Sequence, residues 1–284
     1  MIEDNAYNTL TARNQAFIPG ALQKRLRQTT LVITGCGLGG VIAEAALRTG
    51  FTHIRLIDGD RVEAHNLNRQ NFRNSDVDCS KTDAVAERLR AIHPHAQIES
   101  VPKFLDEDNA ARLLHGAGVI VDTIDFRSPL AIRALHATAR EQGIPVVAPM
   151  SVGWGGAALV FHPRGPSLAD LLGHDAYASV PDFVSAFARL MRRYAAVFPP
   201  YALGVLSQIL DAGNVCPISQ LCPGSYTAAG LSVTLAVRIV AGETVPLAPE
   251  LVLLDPLTAG SVAAAPELHA NEFESTHDAL KVCL

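Results

Sequence analysis

A glycine-rich turn that follows a short apolar run most constrains how this chain can fold. Residues 31–34, Leu-Val-Ile-Thr, have the apolar, β-branched character that a buried parallel strand needs. A helix is expected over residues 41–47, directly after the turn. Glycines let a backbone bend tightly and approach phosphate, while a helix N-terminus offers free N–H groups and a positive dipole end. The sequence therefore predicts a nucleotide-binding turn, whose glycines are Gly35, Gly37, Gly39 and Gly40.

An acidic residue ends the next apolar run, about 20 residues after the turn, where such folds bind ribose hydroxyls. This residue is Asp58. The glycines and this acid alone fit a dinucleotide dehydrogenase as well as an ATP-binding enzyme. A hydride-transfer site has no need of Arg69 and Lys81 just downstream. A site that cleaves ATP between its α- and β-phosphates needs both a guanidinium and an ammonium, so the sequence favours ATP.

The motifs of the first half of the chain, taken as an ordered set, resemble the ubiquitin-activating-enzyme superfamily in its bacterial ThiF, MoeB and HesA branch. The resemblance covers residues 10–160 well and residues 220–256 loosely. It rests on the glycine turn, Asp58-Gly-Asp60, Asn66-Leu-Asn68-Arg69-Gln70, Lys81 and Asp122-Thr-Ile-Asp125.

The resemblance implies roles for the charged residues. Asp58 binds the ribose hydroxyls, and the glycines of the turn approach the phosphates. Arg69 and Lys81 contact the phosphates and stabilise the charge that develops on the departing pyrophosphate. Asp125 holds Mg²⁺, a hard ion that proteins usually bind through one or two carboxylates and phosphate oxygens. The superfamily more often has asparagine after this acid, where this chain has Phe126.

The resemblance also implies roles for the polar residues between these charges. Asn66, Asn68 and Gln70 hold their loop in place and contribute neutral hydrogen-bond donors to the nucleotide site. Asp60 either helps to shape the nucleotide loop or forms a turn beside Gly59.

The segment that begins at Arg13, Arg-Asn-Gln-Ala-Phe, is similar to the N-terminal arginine segment of the superfamily, which crosses to the ATP of the partner subunit. The alternative is a surface arginine on a frayed terminus. We expect a symmetric homodimer, because a two-fold dimer is the commonest way to cover the open side of such a sheet.

The five cysteines are scattered and odd in number, which suits a reducing cytoplasm better than a disulfide framework. No Cys-x-x-Cys pair occurs, so we expect no zinc, although several relatives hold zinc through two such pairs. Relatives that form a thioester or a persulfide need a nucleophilic cysteine late in the chain. Cys222 is the stronger candidate because it precedes a helix start, and Cys216 is the other. Either can instead be a small core residue.

Strand and helix patterns alternate from residue 31 to residue 148, which predicts a Rossmann-like, doubly wound, mostly parallel sheet. Turn residues at 153–156 indicate that residues 157–161 form an antiparallel edge, and residues 251–254 form a last strand. We expect an N-terminal arm and helix (1–30), a Rossmann-like ATP-binding region (31–164), a helical insertion (165–215), a C-terminal helix and strand (216–260) and a tail (261–284).

The composition of the chain limits the classes of partner that it is expected to bind. The chain is 49% hydrophobic and 18% charged, which fits a protein with a substantial core, and its net charge of −5 disfavours nucleic acid. Residues 226–241 are apolar but short for a membrane span and include Arg238. The N-terminus lacks the pattern of a signal peptide, so we expect a cytoplasmic protein without a membrane partner.

These observations predict an adenylyltransferase that uses ATP and Mg²⁺. It would join AMP to the C-terminal glycine carboxylate of a small ubiquitin-like or sulfur-carrier protein and release pyrophosphate. A tRNA threonylcarbamoyl-adenosine dehydratase of the same superfamily is one alternative. A non-catalytic nucleotide-binding scaffold is another, and a dehydrogenase is the most remote.

Overall fold

The computed structural model of this chain describes residues 2–204 and 219–257. These residues form one seven-stranded sheet, with a hydrophobic core on each of its faces. The strands are β1 (Thr30–Thr34), β2 (His53–Ile57), β3 (Gln97–Val101), β4 (Val119–Asp122), β5 (Val146–Val152), β6 (Gly155–Phe161) and β7 (Leu251–Leu254). The helices are α1 (Ile2–Leu10), α2 (Gly20–Gln28), α3 (Leu38–Thr49), α4 (Lys81–Ile92), α5 (Ala110–Leu114), α6 (Pro129–Glu141), α7 (Leu168–Leu172), α8 (Val180–Arg193) and α9 (Cys222–Ala241).

The order of the strands positions the site. It is β3-β2-β1-β4-β5-β6-β7, and the first five strands of this order are parallel. The chain direction across the sheet therefore reverses between β1 and β4. In open α/β sheets, ligands bind in the crevice at such a reversal, beyond the carboxyl ends of the strands. The glycine turn follows β1 at this edge, and Asp58 follows β2.

The predicted doubly wound, mostly parallel sheet that continues into antiparallel strands is confirmed. The prediction that β6 is an edge strand was wrong, because β7 pairs with its outer side in antiparallel register. Local sequence could not show this pairing, since about 90 residues of chain separate the two strands. The sheet therefore ends at β7, whose last residue, Leu254, is half-exposed.

Helix α9 begins at Cys222, before the apolar stretch 226–241, and has 20 residues. The length argument against a membrane span was therefore wrong. Within the described ranges, α9 is the one helix that is long and apolar enough to cross a membrane by length and composition. It packs on β5, β6 and α3, and residues such as Ala228 and Val233 are buried there. The apolar residues on this side of α9 are therefore buried against the sheet and α3.

The N-terminal segment is anchored rather than frayed. The hydroxyl of Tyr7, on α1, lies 3.0 Å from the carbonyl oxygens of both Gln23 and Gly50. Asn14 donates to the carbonyl oxygen of Thr49 at 3.0 Å. The turn that carries Arg13 is thus fixed to the end of α3.

The predicted division into regions stays a prediction. Helices α7 and α8 occupy the first part of the expected insertion, while residues 205–215 and the expected tail (261–284) lie outside the described residues.

Candidate functional site

The turn between β1 and α3 requires glycine at its first position. Gly35 has a φ of +84°, and a Cβ there would lie 2.3 Å from the carbonyl oxygen of Thr123. The Gly35 N–H donates to the carbonyl oxygen of Ile57 at 2.8 Å, and the Thr123 hydroxyl lies 2.6 Å from the carbonyl oxygen of Gly35. The turn is therefore held by residues from β2 and from the segment after β4. The sequence motifs did not predict this role of Thr123.

The remaining glycines of the turn make close contacts with their neighbours. Helix α3 begins at Leu38 rather than at the predicted Val41, so Gly39 and Gly40 lie in its first turn. A Cβ at Gly37 would lie 2.9 Å from the Nε2 atom of Gln70. Asn71 donates from Nδ2 to the carbonyl oxygen of Gly40 at 3.2 Å. The predicted polar loop is thus brought against the glycine turn.

Asp58 is buried at the carboxyl end of β2, beside the same turn. Its Oδ2 accepts from the backbone N–H of Cys36 at 2.5 Å, and its Oδ1 accepts from the backbone N–H of Asp60 at 2.8 Å. Burial raises the pKa of Asp58 above its ordinary value, although the two N–H donors and the charge of Lys81 act in the opposite direction. A carboxylate so oriented retains lone pairs for ribose hydroxyls.

Lys81 is the first residue of α4, and its ammonium is held by a carboxylate. Its Nζ donates to Oδ2 of Asp60 at 2.9 Å, and its side chain is only 11% exposed. The backbone carbonyl oxygen of Asp60 also accepts the backbone N–H of Lys81 at 3.0 Å. Of the two roles expected for Asp60, shaping of the nucleotide loop agrees with these contacts.

Arg69 is half-buried and contacts a residue from the other end of the chain. It donates from Nε to the side-chain oxygen of Gln220, which precedes α9. Its Nη1 donates to the carbonyl oxygen of His65 at 3.0 Å and to Oδ1 of Asn68 at 2.9 Å. Burial lowers the pKa of Arg69 from its usual value. Sequence reasoning missed Gln220, because 151 residues separate it from Arg69.

Asn66 supports the loop from within. It is buried, and its Oδ1 accepts the backbone N–H of Glu63 at 3.0 Å, which caps the short 3₁₀ turn Ala64–Asn66. This contact agrees with the expected loop-holding role. Asn68, in contrast, is exposed, and its amide lies 3.5 Å from the carbonyl oxygen of Gln220.

Asp125 follows β4 and is paired with an arginine that sequence reasoning missed. The guanidinium of Arg127 donates to both of its carboxylate oxygens, from Nη2 to Oδ2 at 2.8 Å and from Nε to Oδ1 at 3.2 Å. Burial acts to raise the pKa of Asp125, but hydrogen bonds and charge from Arg127, with the charge of Lys81, outweigh it and lower the pKa. The neighbouring positive charges thus favour the ionised form of Asp125.

The donor set fits Mg²⁺ better than a metal that needs several protein ligands. The described ranges contain no group of three or more His, Cys, Asp or Glu side chains that could hold a metal ion. One carboxylate at Asp125, which already attracts a cation, suits an ion whose other ligands are phosphate oxygens and water. The prediction that zinc is absent stays a prediction, since Cys216 lies outside the described residues.

The first acid of the Asp122–Asp125 element has a structural contact. Asp122 is buried, with its Oδ2 3.0 Å from Nε2 of His136 on α6. Its Oδ1 accepts the backbone N–H of Ile124 at 3.1 Å. Asp122 and His136 therefore fix the segment that carries Asp125 to helix α6.

The remaining candidates are exposed. The side chain of Arg13 forms no hydrogen bond or ion pair with the residues in 2–204 and 219–257. Its expected contact with a partner subunit stays a prediction. Cys222 is an exposed free thiol at the start of α9, and Cys216 lies outside the described ranges. A catalytic role for either thiol also stays a prediction.

Comparisons with known proteins match one family model and several relatives. The model of the ThiF family matches residues 11–274. The tRNA threonylcarbamoyladenosine dehydratase of Escherichia coli (strain K12) is 40% identical over 116 residues, which cover 39% of this chain and 42% of that protein. The sulfur carrier protein adenylyltransferase of Thermus thermophilus is 28% identical over 241 residues, which cover 84% of this chain and 78% of that protein. The ThiS adenylyltransferase of Bacillus subtilis is 31% identical over 149 residues, or 50% and 44% of the two chains.

Two solved structures show the same fold. The crystal structure of the E. coli dehydratase TcdA superposes with a TM-score of 0.60 at 21% identity, covering 84% of this chain and 96% of that one. The crystal structure of E. coli MccB with ATP gives a TM-score of 0.60 at 18% identity, covering 80% and 60%. The matched region covers less than half of the E. coli dehydratase and less than half of the Bacillus subtilis protein.

Proposed function

The chain belongs to the ThiF family, and we propose that it is an ATP-dependent adenylyltransferase. It would join AMP to the C-terminal glycine carboxylate of a small ubiquitin-like or sulfur-carrier protein and release pyrophosphate. The observation that carries this proposal is the arrangement of Asp58, Lys81 and Asp125 around one glycine turn. Asp58 accepts the backbone N–H of Cys36, Lys81 is paired with Asp60, and Asp125 follows closely after Thr123, which contacts Gly35. Arg69 is held beside the same turn through its neighbours Gln70 and Asn71.

The chemistry explains why these charges are needed. A carboxylate that attacks the α-phosphate of ATP brings an anion to an anion, so catalysis depends on positioning and charge neutralisation. Lys81 is oriented by Asp60, and Arg69 is oriented by Gln220 and Asn68. Both cations are therefore held in position without substrate. Mg²⁺ held by Asp125 would add positive charge on the phosphate oxygens.

Two relatives support a protein as the acceptor. The Thermus thermophilus and Bacillus subtilis proteins are named as adenylyltransferases of sulfur carrier proteins, and the first aligns over most of both chains. A carrier of this kind would present its C-terminal carboxylate to the α-phosphate. Neither a membrane nor a nucleic acid is part of the proposal, and the reaction is expected in the cytoplasm.

A second candidate is dehydration of threonylcarbamoyladenosine in tRNA. It is favoured by the 40% identity with the E. coli dehydratase, although this covers only 39% of the present chain. The net charge of −5 opposes it, since tRNA binding usually needs a basic surface. A non-catalytic scaffold would have no need of the oriented Arg69 and Lys81.

We further propose a homodimer whose sites are completed in trans by Arg13. Arg13→Ala and Arg69→Ala homodimers would each be nearly inactive, but a mixture would form heterodimers with one complete site. With random exchange, recovery would reach about a quarter of wild-type activity, because half of the dimers are mixed and each has one complete site. No recovery despite demonstrated subunit exchange would leave Arg13 as a surface residue.

The function can be tested with a panel of acceptors. The protein is incubated with MgATP and either sulfur-carrier or ubiquitin-like proteins, or tRNA that carries threonylcarbamoyladenosine, and release of pyrophosphate is measured. Each carrier is matched with a variant that lacks its terminal glycine. Pyrophosphate release that requires the terminal glycine supports the proposal. Release with the tRNA alone contradicts it in favour of the dehydratase.

A further inference from the structure

Arg127 contacts the carboxylate that is expected to hold Mg²⁺. It donates from Nη2 and Nε to the two oxygens of Asp125 at 2.8 and 3.2 Å, and its backbone N–H donates to Oδ1 at 2.9 Å. In the part of the chain that the structure describes, no other side chain donates a hydrogen bond to Asp125. The side-chain pair therefore already supplies this carboxylate with a counter-charge.

The ion pair between Arg127 and Asp125 is accessible to solvent. The Arg127 side chain is 64% exposed and that of Asp125 is 48% exposed. Exposed ion pairs of this kind are weak, since water and salt screen them and two long side chains lose freedom. A metal ion would need the same carboxylate oxygens. A guanidinium and a Mg²⁺ ion would therefore exclude each other from these oxygens.

We propose that Arg127 is a built-in counter-ion of Asp125 that exchanges with Mg²⁺ when nucleotide binds and returns when pyrophosphate leaves. The inference rests on the proposed function, because it takes Mg·ATP as the ligand of this site. Before nucleotide binds, the arginine removes the repulsion between Asp125 and an incoming triphosphate. After the reaction, its return to Asp125 favours release of the metal with pyrophosphate.

Two further carboxylates influence the charge of Arg127. Asp60 and Glu63, in the loop after β2, are the other carboxylates whose charges act on Arg127. Each of them already has a basic side chain beside it, Lys81 for Asp60 and His65 for Glu63. Within the described residues, the carboxylate that forms an ion pair with Arg127 is that of Asp125.

The test measures binding of a non-hydrolysable ATP analogue by calorimetry, with Mg²⁺ and without it. Arg127→Ala should bind the Mg²⁺ complex about three- to fivefold more tightly than the wild type, since the competing cation is gone. It should bind the metal-free analogue more weakly, since Asp125 then repels the phosphates. Arg133→Ala removes a similarly exposed pair with Glu107 and is the matched control, with no change in either measurement.

A double-mutant cycle with Asp125→Asn shows whether the effect passes through the carboxylate. In that background, Arg127→Ala should no longer change the difference between metal-bound and metal-free binding. Weaker binding of the Mg²⁺ complex by Arg127→Ala would overturn the inference and make Arg127 a direct phosphate ligand. Unchanged binding, in a protein that responds to Mg²⁺, would overturn the inference alone. No nucleotide binding by any variant would contradict the proposed function as well.

Discussion

Arg69 donates a hydrogen bond from Nε to the side-chain oxygen of Gln220, which lies just before α9. The start of that helix is packed tightly on the turn between β5 and β6, where Gly224 meets the carbonyl oxygen of Gly153. The orientation of Arg69 therefore depends on how the C-terminal helix docks on the sheet. A residue far away in sequence thus positions the guanidinium that we expect at the phosphates.

Gln220→Ala should lower the adenylation rate about tenfold, which corresponds to one hydrogen bond to a charged group, and should leave the KM for ATP nearly unchanged. The reason is that Arg69 loses its orientation but keeps its charge. Gln142→Ala, which removes a side-chain hydrogen bond to the carbonyl oxygen of Ala111 on the surface, is the control. Steady-state kinetics with wild-type rates for Gln220→Ala would show that Gln220 does not position Arg69.

Gly35→Ala and Gly37→Ala should differ sharply in thermal stability. Alanine at residue 35 is strained by the positive φ, and its Cβ meets a backbone carbonyl oxygen, so we expect poorly folded protein. Alanine at residue 37 meets only the end of the Gln70 side chain, which can move. This variant should fold with a melting temperature close to that of the wild type but bind ATP more weakly. Equal thermal stability of the two variants would contradict the described turn.

Glu44→Gln should lower stability in a pH-dependent way. The Glu44 side chain is 16% exposed and accepts hydrogen bonds from Arg88, Arg48 and Asn71. Burial acts to raise its pKa, but these donors together lower the pKa below the usual 4.5. Ionised Glu44 thus stabilises the fold above that value, and the contribution is lost as the pH falls through the lowered pKa.

Urea unfolding at pH 7 should show a loss of about 1.5–3 kcal/mol for Glu44→Gln, the range for hydrogen bonds to a charged group. The difference from the wild type should shrink as the pH falls below the ordinary value of glutamate. The exposed Glu141→Gln is the control and should behave as the wild type at every pH. A difference that persists unchanged into acid would show that the charge of Glu44 is not responsible.

Adenosine binding should weaken on acidification because of Asp58. Burial raises the pKa of Asp58 above 3.8, so it becomes protonated at a higher pH than an ordinary aspartate. Asp125, whose pKa is lowered, stays ionised over the same range. The raised pKa also means that the charge of Asp58 disfavours folding as the pH rises through that pKa. Titration of the Asp58→Asn variant should show weak binding without this pH dependence, and an unchanged profile would exclude Asp58 as the ribose acid.

The local elements of the site could be predicted from the sequence, because their signals are local. The glycine turn, the acid after β2 and the lysine that opens α4 each follow from a strand or a helix boundary. The start of α9 also had a local signal, since Pro223 is favoured in the first turn of a helix. The edge position of β7 and the contact of Gln220 with Arg69 could not be read, since they depend on how distant segments pack.

The contact between Asp125 and Arg127 could not be predicted from the sequence for a different reason. The two residues are close in sequence, but their contact depends on the conformation of the segment that Asp122 fixes to His136. A guanidinium two residues after an acid is common in loops and by itself predicts no contact.

Exchange of labelled pyrophosphate into ATP tests the central claim, adenylation of a carboxylate, most directly. The wild type, with MgATP and a carrier that keeps its C-terminal glycine, should incorporate label. Arg69→Ala and Lys81→Ala should bind the ATP analogue nearly normally but lose about 10²–10³ in exchange rate, since each removes a preorganised charge that acts in the transition state. No exchange with any acceptor despite demonstrated MgATP binding, or full exchange in both variants, would contradict the proposed mechanism.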